Sequence, residues 1–373
     1  MLMETRSARL NDDQRGFAAI IIALVLILIL SLITVGFAQL MRREQRSALD
    51  KQLSSQAYYA AESGVNVAAK AINAGYFQGT PPTPKSTCGT ISGDPYFSTN
   101  NVGINTGASY PCLLVNPTPP NLQYGSIDTT DTKVVEMTGV SSSGSAVAIK
   151  TIEISWEDAN GNNTFAPPSY CNNTTFYPAS AGSPPTWTYT GLLRAELIPI
   201  KDLSRSGLTN NAYTAFLCPD TSASTGSDYV ANHGIASGVI VHGGCTTNPA
   251  TPTAPRHCNA QITGLGTGAF LDQTTYFLAL RSIYSPTAVT ITAYGLDGTG
   301  NVTVPNLLNI SGAQILVDST GKAQDVLRRV QVRIPVHNNY DIPNGTGAMS
   351  SICKQLQLTP GGGTSNPGNC VIP

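Results

Sequence analysis

Two histidines and two cysteines gather in "HGGC" (242–245) and "RHC" (256–258): His242, Cys245, His257 and Cys258. Two imidazoles and two thiolates are the ligand inventory of a tetrahedral zinc site. The spacing speaks against zinc, because neighbours such as His257 and Cys258 point apart on an extended chain. The preferred reading is a Cys245–Cys258 disulfide with surface histidines beside it. His242 is also followed by two glycines, as in some esterase oxyanion loops, but no G-x-S-x-G nucleophile elbow accompanies them.

Other segments offer oxygen ligands or stacking surfaces. Asp158, Asn160 and Asn162, and again Asp297, Thr299 and Asn301, place side-chain oxygens at alternate positions as calcium loops do. Neither segment has the glycine or the distant glutamate of a full EF-hand loop, so tight turns are the better account. "GLGTG" (264–268) lacks the strand-turn-helix setting of a nucleotide site. Phe165, Tyr170, Phe176, Tyr177, Trp187 and Tyr189 lie among Asn, Thr and Pro. They read either as an adhesive loop for glycans or proteins or as a small aromatic core.

Cysteine usage sets the compartment. All eight cysteines lie beyond residue 87, in Gly-, Pro-, Ser-, Thr- and Asn-rich sequence. An even set behind an apolar segment describes an exported, disulfide-bonded domain. Pairing neighbours in order joins Cys88 with Cys112, Cys171 with Cys218, Cys245 with Cys258, and Cys353 with Cys370. Only 12% of residues are charged and the net charge is −1, so there is no basic field for nucleic acid. No cofactor is expected.

These groups have to be carried by a chain with an unusual start. Residues 17–40 in "GFAAIIIALVLILILSLITVGFAQLMRR" hold no charge. As helix they span about 36 Å, enough for a bilayer core of about 30 Å. The run is too long for an ordinary cleaved signal, and no Ala-x-Ala site follows it. Beyond it, Leu49, Leu53, Ala57, Ala60, Ala61, Val65, Ala68 and Ile72 recur at steps of three and four. That periodicity predicts one apolar stripe. With no breaker between the halves, a single helix is expected over 17–73, ended by Gly75.

"RGF" at 15–17, the apolar run and "QAYYAAESG" (56–64) together resemble the N-terminus of type IV pilins and type II secretion pseudopilins, the minor pilins above all. The resemblance implies a leader of residues 1–16, cut after Gly16 by a prepilin peptidase, with the new N-terminal Phe17 then N-methylated. It implies a transmembrane half-helix (17–41), an amphipathic half (42–75) and an extracytoplasmic head (76–373). Such a protein first spans the inner membrane once and then joins an extracellular pilus. Its partners would be other pilin subunits, the inner-membrane assembly platform and a host or surface ligand. Most pilins carry glutamate at the fifth mature residue; Ile21 stands there instead. Family members without that carboxylate include tip subunits, which implies a place at the tip or in initiation.

The head reads as strands at 133–140, 146–158, 192–200, 212–218, 237–242, 275–284, 288–295, 313–319 and 326–336. Turns are expected at "DANGNN", "LDGTGN" and "STGK" (319–322), and 159–270 as an insertion or second lobe. The fold class is α+β: a long N-terminal helix packed on an antiparallel β-sheet head with loop-rich, disulfide-bonded insertions. The function expected is a non-enzymatic filament subunit serving tip assembly or adhesion. An uncleaved signal-anchored binding domain is the alternative, and a membrane-tethered enzyme a lesser one, lacking a nucleophile coupled to any of four histidines.

Overall fold

The computed structural model describes residues 12–77, 83–101, 107–161, 165, 171, 187–200, 212–220, 228–230, 239–246, 257–265, 273–295 and 306–336. Outside them fall Cys353, Cys370, Tyr170, Phe176, Tyr177, and the 297–301 oxygen cluster.

One helix, α1 (Asp12–Asn73), is followed by fourteen strands among the described residues. They are β1 (Ala108–Asn116), β2 (Asn121–Ile127), β3 (Lys133–Val140), β4 (Thr151–Asp158), β5 (Leu192–Pro199), β6 (Tyr213–Asp220) and β7 (Asp228–Val230). The rest are β8 (Val239–Thr246), β9 (His257–Thr263), β10 (Thr275–Ile283), β11 (Thr287–Gly295), β12 (Asn306–Ser311), β13 (Gln314–Ala323) and β14 (Val326–Pro335). The α+β class expected from the sequence is the class found.

The helix is continuous through the junction of its two halves and begins five residues earlier than the apolar run. Its end is built as the sequence dictates. Gly75 takes φ +79°, Tyr76 N donates to Ala71 O (3.0 Å) and Gly75 N to Ile72 O (2.9 Å). Those two bonds close the last carbonyls in a Schellman cap, which a glycine in the left-handed region permits without strain.

The described residues divide into two compact units. The first takes α1 as far as Val67, residues 88–113 and residues 318–330. Here the amphipathic half of the helix packs on sheet: Ala57 and Ala60 are fully buried against Ala108 and Ala323, with Leu53 and Val326 alongside. Gly64 faces Ser319 and the Tyr110 ring, and Cys88 is bonded to Cys112. "STGK" does not turn the chain as its composition suggests. It runs inside β13, where a residue without a side chain allows close approach, and the turn comes at Gln324, φ +53°.

The second unit holds an eleven-stranded sheet in the order β12-β3-β10-β5-β6-β8-β9-β4-β11-β2, with β7 added on β9. Strand β12 also pairs β11, matching Ala293 with Leu308, while pairing β3 through Asn309–Val140. Nine strands therefore close into a ring, and β2 lies along the remaining length of β11. Leu, Ile and Val residues fill it together with Met137, Trp156 and Tyr276, all essentially unexposed. Alternation in and out along each strand produces this core.

Two features differ from the sequence reading. The sheet is mixed, because β6 pairs β8 and β7 pairs β9 in parallel. Residues 221–238 between β6 and β8 give the length that a parallel connection needs. The stretch 159–270, read as an insertion or lobe, supplies β5, β6, β8 and β9 to the middle of the same sheet.

Candidate functional site

The Cys/His cluster resolves into a disulfide. Cys245 and Cys258 face each other across the antiparallel β8–β9 pair and are bonded. Sulfurs joined to each other are not thiolate ligands, so the zinc alternative built on His242, Cys245, His257 and Cys258 is corrected. His242 turns to Asp220 on the neighbouring parallel strand, Nδ1 to Oδ2 at 2.6 Å, and that carboxylate is fully buried. Cys171 is near both, but it is bonded to Cys218. Exposed His257 lines a separate cleft of about 720 Å³ with Tyr124, Glu157, Gln331 and Arg333. Burial pushes the Tyr124 phenol up, opposed by the Arg333 charge. Arg333 itself is held by Asn121, donating to its carbonyl (2.6 Å) and side-chain oxygen (2.7 Å).

Asp158 serves a turn. Its Oδ1 accepts from Asn160 N (2.8 Å), its Oδ2 from the Ser285 hydroxyl (2.6 Å), and Gly161 follows at φ +78°. A carboxylate used on both oxygens in this way is an Asx turn rather than a cation cradle.

The aromatics proposed as an adhesive loop are, where described, packed. Phe165 belongs to the main core. Trp187 and Tyr189 lie against Cys171, Leu192, Cys218 and Ile240, and the Trp187 indole donates to Thr190 O (3.0 Å). For these three the core reading replaces the exposed one, since a ring beside a disulfide and a Leu gains more from burial than from water.

Sequence reasoning missed a different surface. Arg194 on β5 and Arg281 on β10 are direct cross-strand partners, and Phe216 on β6 sits opposite Arg194 on its other side. All three point outward, and they line a cavity of about 730 Å³ with Thr129, Thr214 and Tyr284. Tyr284 is 43% exposed, has φ +74° and stacks on Trp187 with centroids 4.6 Å apart. Only the strand register brings these residues together, because they come from distant parts of the chain.

The N-terminal helix offers a surface of another kind. From Phe17 to Met41 its large apolar side chains are exposed along their whole length. The two hydroxyls in this stretch are satisfied inside the helix: Ser31 Oγ donates to Leu28 O (2.8 Å) and Thr34 Oγ1 to Leu30 O (2.7 Å). Apart from the exposed Gln39 amide near its C-terminal end, the stretch leaves lipid or a neighbouring helix no polar side chain to accommodate. Arg42, Arg43, Arg46 and Lys51 follow at once, all exposed, and Arg328 Nε donates to Ser54 Oγ (2.8 Å) a turn further on.

The PilX N-terminal family model matches residues 15–66. The N-terminal region is type IV pilin-related. The match opens at Arg15, immediately before Gly16 and Phe17, and closes at Asn66. It therefore takes in the entire exposed apolar half of this pilin-related helix and most of the half that packs on sheet. No curated protein and no solved structure matches the chain. The helix fits a membrane anchor by length and composition.

Proposed function

We propose that this protein is a minor pilin: a non-enzymatic structural subunit of a type IV pilus or related filament, acting in tip assembly or initiation, or in adhesion. The observation that carries the reading is the pilin-related helix of 15–66, bare and lipid-length at one end and packed on sheet at the other. In this account a prepilin peptidase removes residues 1–16 and Phe17 becomes the methylated N-terminus. The apolar half is first a single inner-membrane span and then packs among like helices of other subunits on the assembly platform. Ile21 supports the tip position, because the subunit offers no carboxylate to a subunit above it. Burying an unpaired charge in an apolar bundle is costly, so an apolar residue is tolerated best where no partner amine follows.

Intact-mass measurement of the protein from membranes and from sheared filaments tests the proposal. A chain beginning at Phe17 with one added methyl group is expected in both. A chain retaining Met1 and absent from filaments overturns it and favours a signal-anchored binding domain.

A further inference from the structure

The basic residues that follow the apolar half of α1 are joined by a cation from far along the chain. Arg43, Arg46 and Lys51 line a cleft of about 700 Å³ with Asp50 and Ser54, and Arg328 of β14 forms its other wall. Positions 43, 46, 50 and 54 follow one another at steps of three and four, so they share one face of the helix. Arg328 lies 274 residues beyond Ser54 in sequence and is held over that face by its bond to the Ser54 hydroxyl. The next residue, Arg329, is neutralised, because both Asp318 carboxylate oxygens accept from its Nε, at 2.8 and 3.0 Å. Arg328 has only a hydroxyl. Among the described residues no carboxylate lies within ion-pair distance of Arg43, Arg46, Lys51 or Arg328. Asp50 offsets at most one of these charges, in a chain whose net charge is −1.

Height decides what such a cleft meets. Met41 is the last large side chain of the exposed apolar run. Arg43 stands about 3 Å beyond it along the helix axis and Arg46 about 7.5 Å. The headgroup layer on each side of a bilayer core is about 5–7 Å thick. Helical side chains lean toward the N-terminus, here toward lipid, and long cationic stems extend that reach. Lys51 therefore comes down toward the same layer, and Arg328 closes the cleft above it. A guanidinium fork grips phosphate oxygens two at a time. The bare apolar surface directly below lies where the acyl chains of the same molecule would run.

We propose that this cleft binds the phosphate headgroup of an anionic phospholipid, with Arg43 and Arg46 on the phosphate and Lys51 and Arg328 around the rest of the headgroup. The inference rests on the membrane-anchored stage of the function proposed above. A basic collar attracts anionic lipid whichever arginine supplies the charge. A cleft walled by a strand residue instead holds one lipid as a ligand, and so sets the depth and rotation at which the helix waits in the bilayer. An acidic protein segment would use the charge but has no need of the apolar surface immediately below.

The full chain is reconstituted in nanodiscs of phosphatidylcholine alone and of phosphatidylcholine mixed with phosphatidylglycerol, and native mass spectrometry counts the lipids it keeps on release. Retention of phosphatidylglycerol over phosphatidylcholine by about tenfold is expected. Arg46→Gln and Arg328→Gln each remove most of that preference. Arg42→Gln, deeper in the headgroup layer but outside the cleft, leaves it unchanged. Diffuse attraction predicts the reverse order: it falls off within a Debye length of about 8 Å, and Arg328 stands higher above the bilayer than Arg42. A chain that enters neither bilayer overturns the membrane reading and this inference with it. One that enters both yet keeps the two lipids alike, or loses its preference equally in all three variants, overturns the inference alone. Binding of poly-glutamate in the phosphatidylcholine discs, as strong as that of phosphatidylglycerol, overturns it in favour of an acidic protein segment.

Discussion

Gly321 of β13 lies against the backbone of α1 at Ala57, so closely that a Cβ on the glycine would collide with the Ala57 carbonyl and the Ala61 amide. The contact joins backbone to backbone, so neither side yields by rotating a side chain. Gly321→Ala is expected to cost roughly 2–4 kcal/mol. Gly64→Ala meets the Ser319 hydroxyl, which can turn aside, and the Tyr110 ring at 3.2 Å. Its cost is expected to be smaller. Urea denaturation of the two variants gives the ranking, and equal midpoints would show that helix and sheet are not packed as described.

Alkaline pH should unfold the protein progressively. Tyr276 lies wholly inside the ring, and burial raises its phenol above the ordinary 10.0. Burial also raises Tyr110 and Tyr294. Between the unfolded and folded values the unfolded chain has released a proton that the folded one keeps. Stability is therefore whole below about pH 10 and falls as pH rises through the window above it. Lys85, lowered by burial, acts in the opposite sense. Tyr276→Phe isolates one phenol: the fall in stability should be shallower by about 1.4 kcal/mol per pH unit. Denaturation curves at successive pH values check it.

The two disulfides of the second unit close loops of different length, 47 residues for Cys171–Cys218 and 13 for Cys245–Cys258. Chain-entropy reasoning gives about 4 kcal/mol for the longer and about 3 kcal/mol for the shorter. Paired Cys→Ala variants, compared by chemical denaturation under oxidising conditions, should lose stability in that order.

In the pilin reading, Gly16→Val should block removal of residues 1–16 and leave the protein in the membrane. Mass measurement of membrane fractions would detect the retained leader. Normal trimming of that variant would count against the peptidase assignment. In the same reading Ile21→Glu supplies the missing carboxylate, and the protein should then spread along filaments instead of staying at one end, as labelling by electron microscopy would reveal.

Much of this architecture was legible from residue types. The steps of three and four at Leu53, Ala57, Ala60 and Ala61 named the packed face of α1, and Gly75 named its end. Strands with large apolar residues at alternate places, such as 133–140 and 192–199, were found within a residue or two. Strand β9 was not, because its buried positions are Cys258, Ala260 and Ile262, two of them small, and its His and Cys drew attention as chemistry. Strand β1 was hidden by Pro111, which an edge strand tolerates. The Arg194–Arg281 pair was beyond reach, since eighty-odd residues separate two arginines that only register places face to face.

Ring closure by β12 sets the order of events during synthesis. It is the last of the nine ring strands along the chain, yet it fits between β3, the first, and β11. Every nascent chain shorter than residue 311 lacks its seam and leaves hydrogen-bonding edges that invite association with other chains. The head therefore matures late, through contacts between distant segments, after the N-terminal helix has already emerged.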